Sequence, residues 1–203
     1  MNPALLGIIA SARRHSAGEA WDPANTFGTW TFSNSDRAAD SATNAAVLSL
    51  NGKSSGKRYF EITWTVITAN YASTVRHDAG LQSQAVAPSL GSVRGVNASA
   101  YNRAGAIFVD NVQVATYTAL AQGDTILCAV DLGTGKIWYG RNGVWNGDPA
   151  AGTGEAGTMP AGTYKLAAGY ESAGADHNTY LIRSASNELL YAVPAGFKLW
   201  NDT

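Results

Sequence analysis

Wherever apolar residues are dense in this chain, they alternate with polar ones at a period of two. In residues 57–67, Tyr59, Glu61, Thr63 and Thr65 alternate with Phe60, Ile62, Trp64 and Val66. That spacing predicts a strand with one face buried. Residues 124–132 repeat the pattern, with Ile126, Cys128, Val130 and Leu132 on one apolar face. Gly133-Thr134-Gly135 then separates this strand from Lys136-Ile137-Trp138-Tyr139. Asn142-Gly143, the strongest two-residue hairpin signal, leads into Val144-Trp145 and completes a three-stranded meander. Residues 164–170, 180–183 and 189–193 supply further strands, while 88–104 and 147–162 read as long connections. No stretch keeps helical periodicity with caps; residues 36–46 come nearest, and their Ser, Asp and Asn content favours turns over helix. Many short strands between Gly and Pro turns predict an all-β sandwich or barrel.

Composition narrows what such a fold is for. With 203 residues, 45% of them hydrophobic, and 6 Trp and 9 Tyr, the chain can bury a core and is not intrinsically disordered. A net charge of -1 lacks the cationic footprint of phosphate neutralisation, so nucleic acid is not an expected partner. Only 14% of residues are charged, below the roughly 25% usual for a soluble domain. A surface covered instead by Gly, Ala, Ser, Thr and Asn suits packing against other proteins. The single Cys128 cannot form an internal disulfide, and its apolar run marks a buried thiol, consistent with folding in a reducing cytoplasm.

At the N-terminus, residues 4–12 form an apolar strip resembling a signal-peptide core, but Arg13-Arg14 follow it rather than precede it. The strip is also far shorter than the roughly 20 residues that cross a bilayer, so membrane insertion is not expected. Residues 1–20 therefore read as a docking arm, with Leu5, Leu6, Ile8 and Ile9 as its contacts, and 21–203 as one domain.

Candidate chemistry is sparse. Residues 131–136 resemble the phosphate turn of actin-like ATPases but lie between two adjacent strands, where a hairpin turn is the simpler reading; Gly52-Lys53-Ser54 lacks the first glycine of a P-loop. His15, His77 and His177 have no metal-ligand spacing, so neither a metal nor another cofactor is expected. His77-Asp78 and Asp176-His177 could be combined with a serine into a hydrolase triad on paper, yet no nucleophile elbow accompanies them. Glu61 and Asp131 have no acidic neighbour two or four residues away, as a paired-carboxylate glycosidase needs. Asn146-Gly147-Asp148 reads as a turn, with an oxygen-rich calcium site as the alternative. No catalytic residue is assigned. The aromatics divide into core, Phe60, Trp64, Trp138 and Tyr170, and loop positions, Tyr71, Tyr101 and Trp145. The latter lie near Arg76, Arg103 and Arg141, and exposed aromatic and Arg side chains on a rigid β scaffold are typical binding residues.

Taken in order, the motifs resemble a known family. Gly56-Lys57-Arg58-Tyr59-Phe60-Glu61-Ile62 is similar to the strand that opens SPRY domains, and residues 123–131 to their Gly-Asp-x-hydrophobic strand. Ile137-Trp138-Tyr139-Gly140-Arg141-Asn142-Gly143 resembles their Asn-Gly hairpin, and Pro194-Ala195-Gly196-Phe197 their closing Pro-x-Gly-Phe. Residues 164–169 match the late Tyr-Pro-Ala-Val-Gly strand loosely, and Leu181-Ile182-Arg183 replaces the usual Asn-Phe-Gly. The 145–154 loop, Leu5-Leu6-Gly7 and Trp21-Asp22-Pro23 are similar to SPRY-like proteins encoded among the structural genes of tailed bacteriophages. The resemblance implies a bent antiparallel sandwich of the concanavalin A-like jelly-roll type with a binding role and no catalysis. It further implies a virion protein of the tail, baseplate or fibre, assembled in the host cytoplasm. Its expected partners are other virion proteins, further copies of itself, and a host surface glycan or protein. A capsid decoration or head-fibre protein, a carbohydrate-active enzyme and a free intracellular peptide-binding adaptor are the alternatives.

Overall fold

The computed structural model describes residues 18–67, 76–171 and 177–203, with Arg76 described in its backbone alone. Sixteen strands occur among these residues. The first part supplies β1 (Trp21–Phe27), β2 (Thr31–Ser33), β3 (Ala38–Ser41), β4 (Ala45–Ser49) and β5 (Lys57–Ile67). The middle carries β6 (Arg76–Ser83), a 3₁₀ turn (Ser92–Arg94), β7 (Ala98–Asn102), β8 (Ala106–Val109) and β9 (Val112–Thr116). The meander follows as β10 (Thr125–Asp131), β11 (Lys136–Arg141) and β12 (Val144–Trp145). The chain ends through β13 (Gly157–Thr158), β14 (Tyr164–Glu171), β15 (Asn178–Arg183) and β16 (Lys198–Leu199).

They form two sheets. One has seven strands in the order β1-β4-β14-β6-β7-β8-β9. The other has nine, in the order β12-β11-β10-β5-β15-β3-β2, with β13 beside β11 and β16 beside β5. Every pairing is antiparallel except β16 on β5. The expected all-β sandwich is therefore present, and no helix among the described residues is long and apolar enough to cross a membrane.

Register places the core. Phe60, Cys128 and Tyr139 stand opposite one another across β5, β10 and β11, and all three point into the buried cluster between the sheets. Ring contacts tie that cluster together: Phe60 meets Trp200 edge-on at 5.5 Å, Tyr101 meets Tyr139 at 5.9 Å, and Trp64 lies 5.6 Å from Tyr180. Each such pair adds about 0.5–1.5 kcal/mol beyond its area burial. Phe60, Trp64, Trp138 and Tyr170 are all buried, as their positions in apolar runs predict. At Gly80 the sheets close on the backbone: a Cβ there would sit 2.1 Å from the Ser99 carbonyl and 2.5 Å from the Tyr139 hydroxyl.

Each sheet also carries a cover on its outer face. Over the seven-stranded sheet, the 3₁₀ turn inserts Val93 among Ala46, Leu48, Ala100 and Ala167. Arg94 stacks 4.9 Å above Phe108 and places its Nε 3.1 Å from the Asp78 carboxylate. Residues 88–104 are thus a cover followed by β7, not a long connection. Over the nine-stranded sheet, Phe197 and Leu199 join Tyr59, Leu127, Ala129 and Trp138 in a second cluster. Residues 189–193 run along this cover without pairing as a strand. The 147–162 connection is not plain loop either, since Asp148 bridges Thr153 and β13 adds to β11. Leu5, Leu6, Ile8 and Ile9 lie outside the described residues.

Candidate interaction site

The Asn142-Gly143 turn joins β11 to β12 with φ of 50° and 85° at its two central residues. Both values are positive, as the hairpin turn that matches strand twist requires, which explains Asn-Gly at this point. The Asn142 side chain braces the turn from below. Its Oδ1 accepts the Thr125 N–H at 2.9 Å, and its Nδ2 donates to Asp124 Oδ1 at 2.6 Å. Asp124 Oδ2 accepts Nε and Nη2 of Arg141, each at 2.8 Å, and the Ala121 N–H at 2.6 Å. Burial opposes the charge of this carboxylate. The donors from Ala121, Asn142 and Arg141, with the Arg141 charge, outweigh that cost and hold its pKa below the ordinary aspartate value.

Beside the turn lies a cleft of about 280 Å³ bordered by Thr118, Arg141, Asn142, Val144 and Asn146. Tyr101 forms its floor; the ring is fully buried and its hydroxyl donates to the Thr118 carbonyl at 2.6 Å. Burial is the main cause that lifts the Tyr101 pKa to about 12, so the phenol stays neutral and serves as a donor.

On the other side of the turn an apolar ridge reaches solvent. Val144 at the tip is 71% exposed and Leu190 is 53% exposed. Their chain neighbours Trp145 and Tyr191 are half-buried. Trp145 leans on the buried Tyr59 ring at 6.1 Å, and the Tyr191 ring lies against Gly143, where a Cβ would come within 2.9 Å of it.

Glu61 fixes this ridge from inside. It is fully buried on β5, and its carboxylate accepts the Leu190 N–H at 2.9 Å and the Tyr191 N–H at 3.0 Å. The Tyr59 hydroxyl donates to the same group at 2.7 Å. Burial, reinforced by the neighbouring Glu61 charge, pushes the Tyr59 pKa well above the ordinary tyrosine value. The expected strand at 189–193 fails for a physical reason: two of its donors go to a carboxylate, and β16 takes the next place along β5.

No protein-family model matches the chain, and no curated protein sequence matches it. Its backbone does match the crystal structure of the SPRY domain of human HERC1, with a TM-score of 0.62 at 19% identity. The match covers 80% of this chain and 96% of that one. The chain has the fold of a SPRY domain. A second human SPRY domain covers 77% of this chain and 95% of its own length at 13% identity, with a TM-score of 0.46.

On this SPRY-like sandwich the residues singled out from sequence separate. Arg141 and Trp145 flank the Asn-Gly turn, one on the cleft and one on the ridge. Tyr101 belongs to the same cleft but lies in β7, buried beneath it, so the expectation of an exposed loop aromatic is corrected. Arg103 is corrected likewise: it is only 9% exposed, and its backbone N–H donates to the His77 carbonyl at 2.9 Å. Tyr71 lies outside the described residues, and so does the side chain of Arg76, whose backbone pairs with Glu171.

Sequence reasoning missed Val144, Leu190 and Tyr191. An all-apolar run reads as a buried strand, and only Pro194 at its end signalled an irregular cover.

The groups that could be assembled into catalytic sites on paper are engaged separately. His77 Nδ1 pairs with Asn178 Oδ1 at 2.7 Å, and Asp78 accepts from Asn102 at 2.9 Å. His177 Nδ1 lies 3.1 Å from Asp40, while Asp176 lies outside the described residues. Asp148 accepts the Ala151 N–H within its own turn, and no cluster of three metal-ligating side chains occurs among the described residues.

Proposed function

We propose that this chain is a non-enzymatic binding module, and that the ridge of Val144, Trp145, Leu190 and Tyr191, with the Arg141 cleft beside it, is where another protein docks. The observation that carries the reading is the exposure of Val144 and Leu190, each next in chain to a half-buried aromatic ring, with the Tyr191 ring seated against the braced Asn142-Gly143 turn. Apolar side chains exposed together on a rigid scaffold, beside aromatic anchors, are what protein-binding surfaces offer. Arg141 remains about a quarter exposed while tied to Asp124, so it can give a directed hydrogen bond without bringing an unpaired charge into an interface.

We place this module in a tailed-phage virion, on the tail, baseplate or fibre, assembled in the host cytoplasm. The support is the motif string, the low charge and the apolar 1–20 arm, through which Leu5, Leu6, Ile8 and Ile9 would dock on the particle. The ridge would then face a neighbouring subunit or a host surface protein, and several copies per particle would offset weak single-site affinity. Two measurements test this. Electron microscopy of particles lacking the gene is expected to show missing density, and unchanged heads and tails would refute the placement. Binding of purified protein to particles or host cells is expected to saturate and to fall at least tenfold in Val144→Asp and Leu190→Asp. Undiminished binding in both variants would refute the ridge.

A further inference from the structure

The far pole of the sandwich holds a second cleft, of about 430 Å³, a volume within the range small-molecule sites span. Strand β7 connects the two: its last residues, Tyr101 and Asn102, lie at the hairpin pole, while Asn97, just before it, lines the far cleft. Ser83, Gln84 and Thr163 converge there with Asn97. Among the described residues, no charged side chain lines it. Among the described residues, the side chains of Gln84, Asn97 and Thr163 form no hydrogen bond. Ser83 is 7% exposed; its oxygen accepts the Ala85 N–H at 3.2 Å, which leaves the hydroxyl proton to be given.

The walls are held from behind. Ser83 N–H donates to the Asn97 carbonyl, Gln84 N–H to the Thr163 carbonyl, and Tyr164 exchanges both backbone bonds with Lys53, all at 2.8 Å. The Asn97 N–H is taken by Asp110 Oδ1 at 2.8 Å, and the Tyr164 hydroxyl donates to the Pro160 carbonyl at 2.7 Å. Backbone and aromatic groups of the rim are thereby satisfied, while four neutral polar residues line the cleft. Such a set offers both donors and acceptors, which is what vicinal hydroxyl groups require.

We propose that this cleft binds a neutral saccharide. A charged ligand finds no counter-charge among the described lining residues. A peptide would need pockets for its side chains; of the remaining wall, Ala85, Ala161 and Gly162 are too small to shape any, and Tyr164 is buried with its hydroxyl given to Pro160. A few neutral hydrogen bonds at an open cleft give millimolar affinity, sufficient only when many copies act together. The site is separate from the Val144 ridge, and either could fail without the other.

The test is an amide-resolved NMR titration of the full chain with methyl α-mannoside, methyl β-galactoside, maltose and N,N′-diacetylchitobiose, each to tens of millimolar. At least one sugar is expected to give saturable shifts at residues 83–85, 97 and 161–164, leaving 142–146 and 189–191 unmoved. Asn97→Gly and Thr163→Val are each expected to weaken that binding at least tenfold. Asn97 has φ +55°, which glycine adopts without strain, and Thr163 is exposed, so both variants keep the fold, as the rest of the spectrum will report. Three results overturn the proposal: no saturable shift with any sugar, equal affinity in both variants, or shifts at this cleft from acetyl-Gly-Asn-Gly-amide but from none of the sugars.

Discussion

The two outer faces of the sandwich are covered in different ways, and the difference decides where the molecule is open to partners. On the seven-stranded sheet side-chain packing seals the face. Val93 drops onto Ala46, Ala100, Ala167 and Gly169, where a Cβ would come within 2.8 Å of Val93 Cγ2. On the nine-stranded sheet the cover is held by hydrogen bonds to the Glu61 carboxylate, and its apolar side chains are left partly outside. Packing turns side chains inward. A carboxylate holds only the backbone, so Leu190 is left turned outward while Tyr191 settles against Gly143.

Removing the Glu61 carboxylate is the most damaging way to break this contrast. Glu61→Ala leaves the Leu190 and Tyr191 N–H groups and the buried Tyr59 hydroxyl without their acceptor, at a cost of about 3 kcal/mol or more. Urea denaturation measures the loss. Hydrogen exchange is expected to quicken first at residues 190 and 191, ahead of β10 and β11. If exchange at 190 and 191 stays as slow as in the parent, side-chain packing and not Glu61 fixes the ridge.

The packed face is expected to suffer less. Val93→Ala removes two buried methyl groups from a contact lined by alanines and glycine, costing about 1–3 kcal/mol. Binding at the ridge is expected to be unchanged, because among the described residues no hydrogen bond joins the cover at 84–97 to the hairpin. Thermal unfolding combined with the binding assay separates the two effects. A variant that keeps its stability but loses binding would show that the faces are coupled.

Sequence showed the hairpins better than the covers, and the reason is one of range. The period-two alternation of β5 and β10 and the Asn142-Gly143 turn are local statements, each written within a dozen residues. Strand β7 lies in Ala98-Ser99-Ala100-Tyr101-Asn102, where small residues give no amphipathic contrast, so Tyr101 read as a loop aromatic. Strands β3 and β4 lie in the Ser-, Asp- and Ala-rich stretch that resists helix, and they are strands because β15 and β14 pair with them from far along the chain. The irregular course of residues 189–193 depends on Glu61, and no local pattern reports a partner at that distance. The cleft residue Arg141 was legible because it sits in the hairpin motif. Leu190 was not, because its exposure depends on that distant carboxylate.

A second buried glutamate sharpens the comparison, since its backbone and its carboxylate tie down the two ends of the same C-terminal cover. The Glu19 backbone N–H donates to Ser184 Oγ at 2.6 Å, and its carboxylate accepts the Asn51 N–H at 2.8 Å and a hydrogen bond from Asn201. Burial is the largest influence on it and raises its pKa above the ordinary glutamate value, although the bonds from Asn51, Ala20 and Asn201 pull the other way. The folded protein therefore holds the Glu19 proton more tightly than the unfolded chain does. Its contribution to stability is fully present below the unfolded pKa and is lost as pH rises through the raised folded value. Glu19→Gln keeps an acceptor for Asn51 and carries no charge. Its stability relative to the parent is expected to be lowest in acid and to improve as pH rises through that window, the smallest of the three effects. Denaturant midpoints from pH 4 to pH 8 measure it. A parent-to-variant difference that stays flat across that range would mean that the donors around Glu19 fully offset its burial.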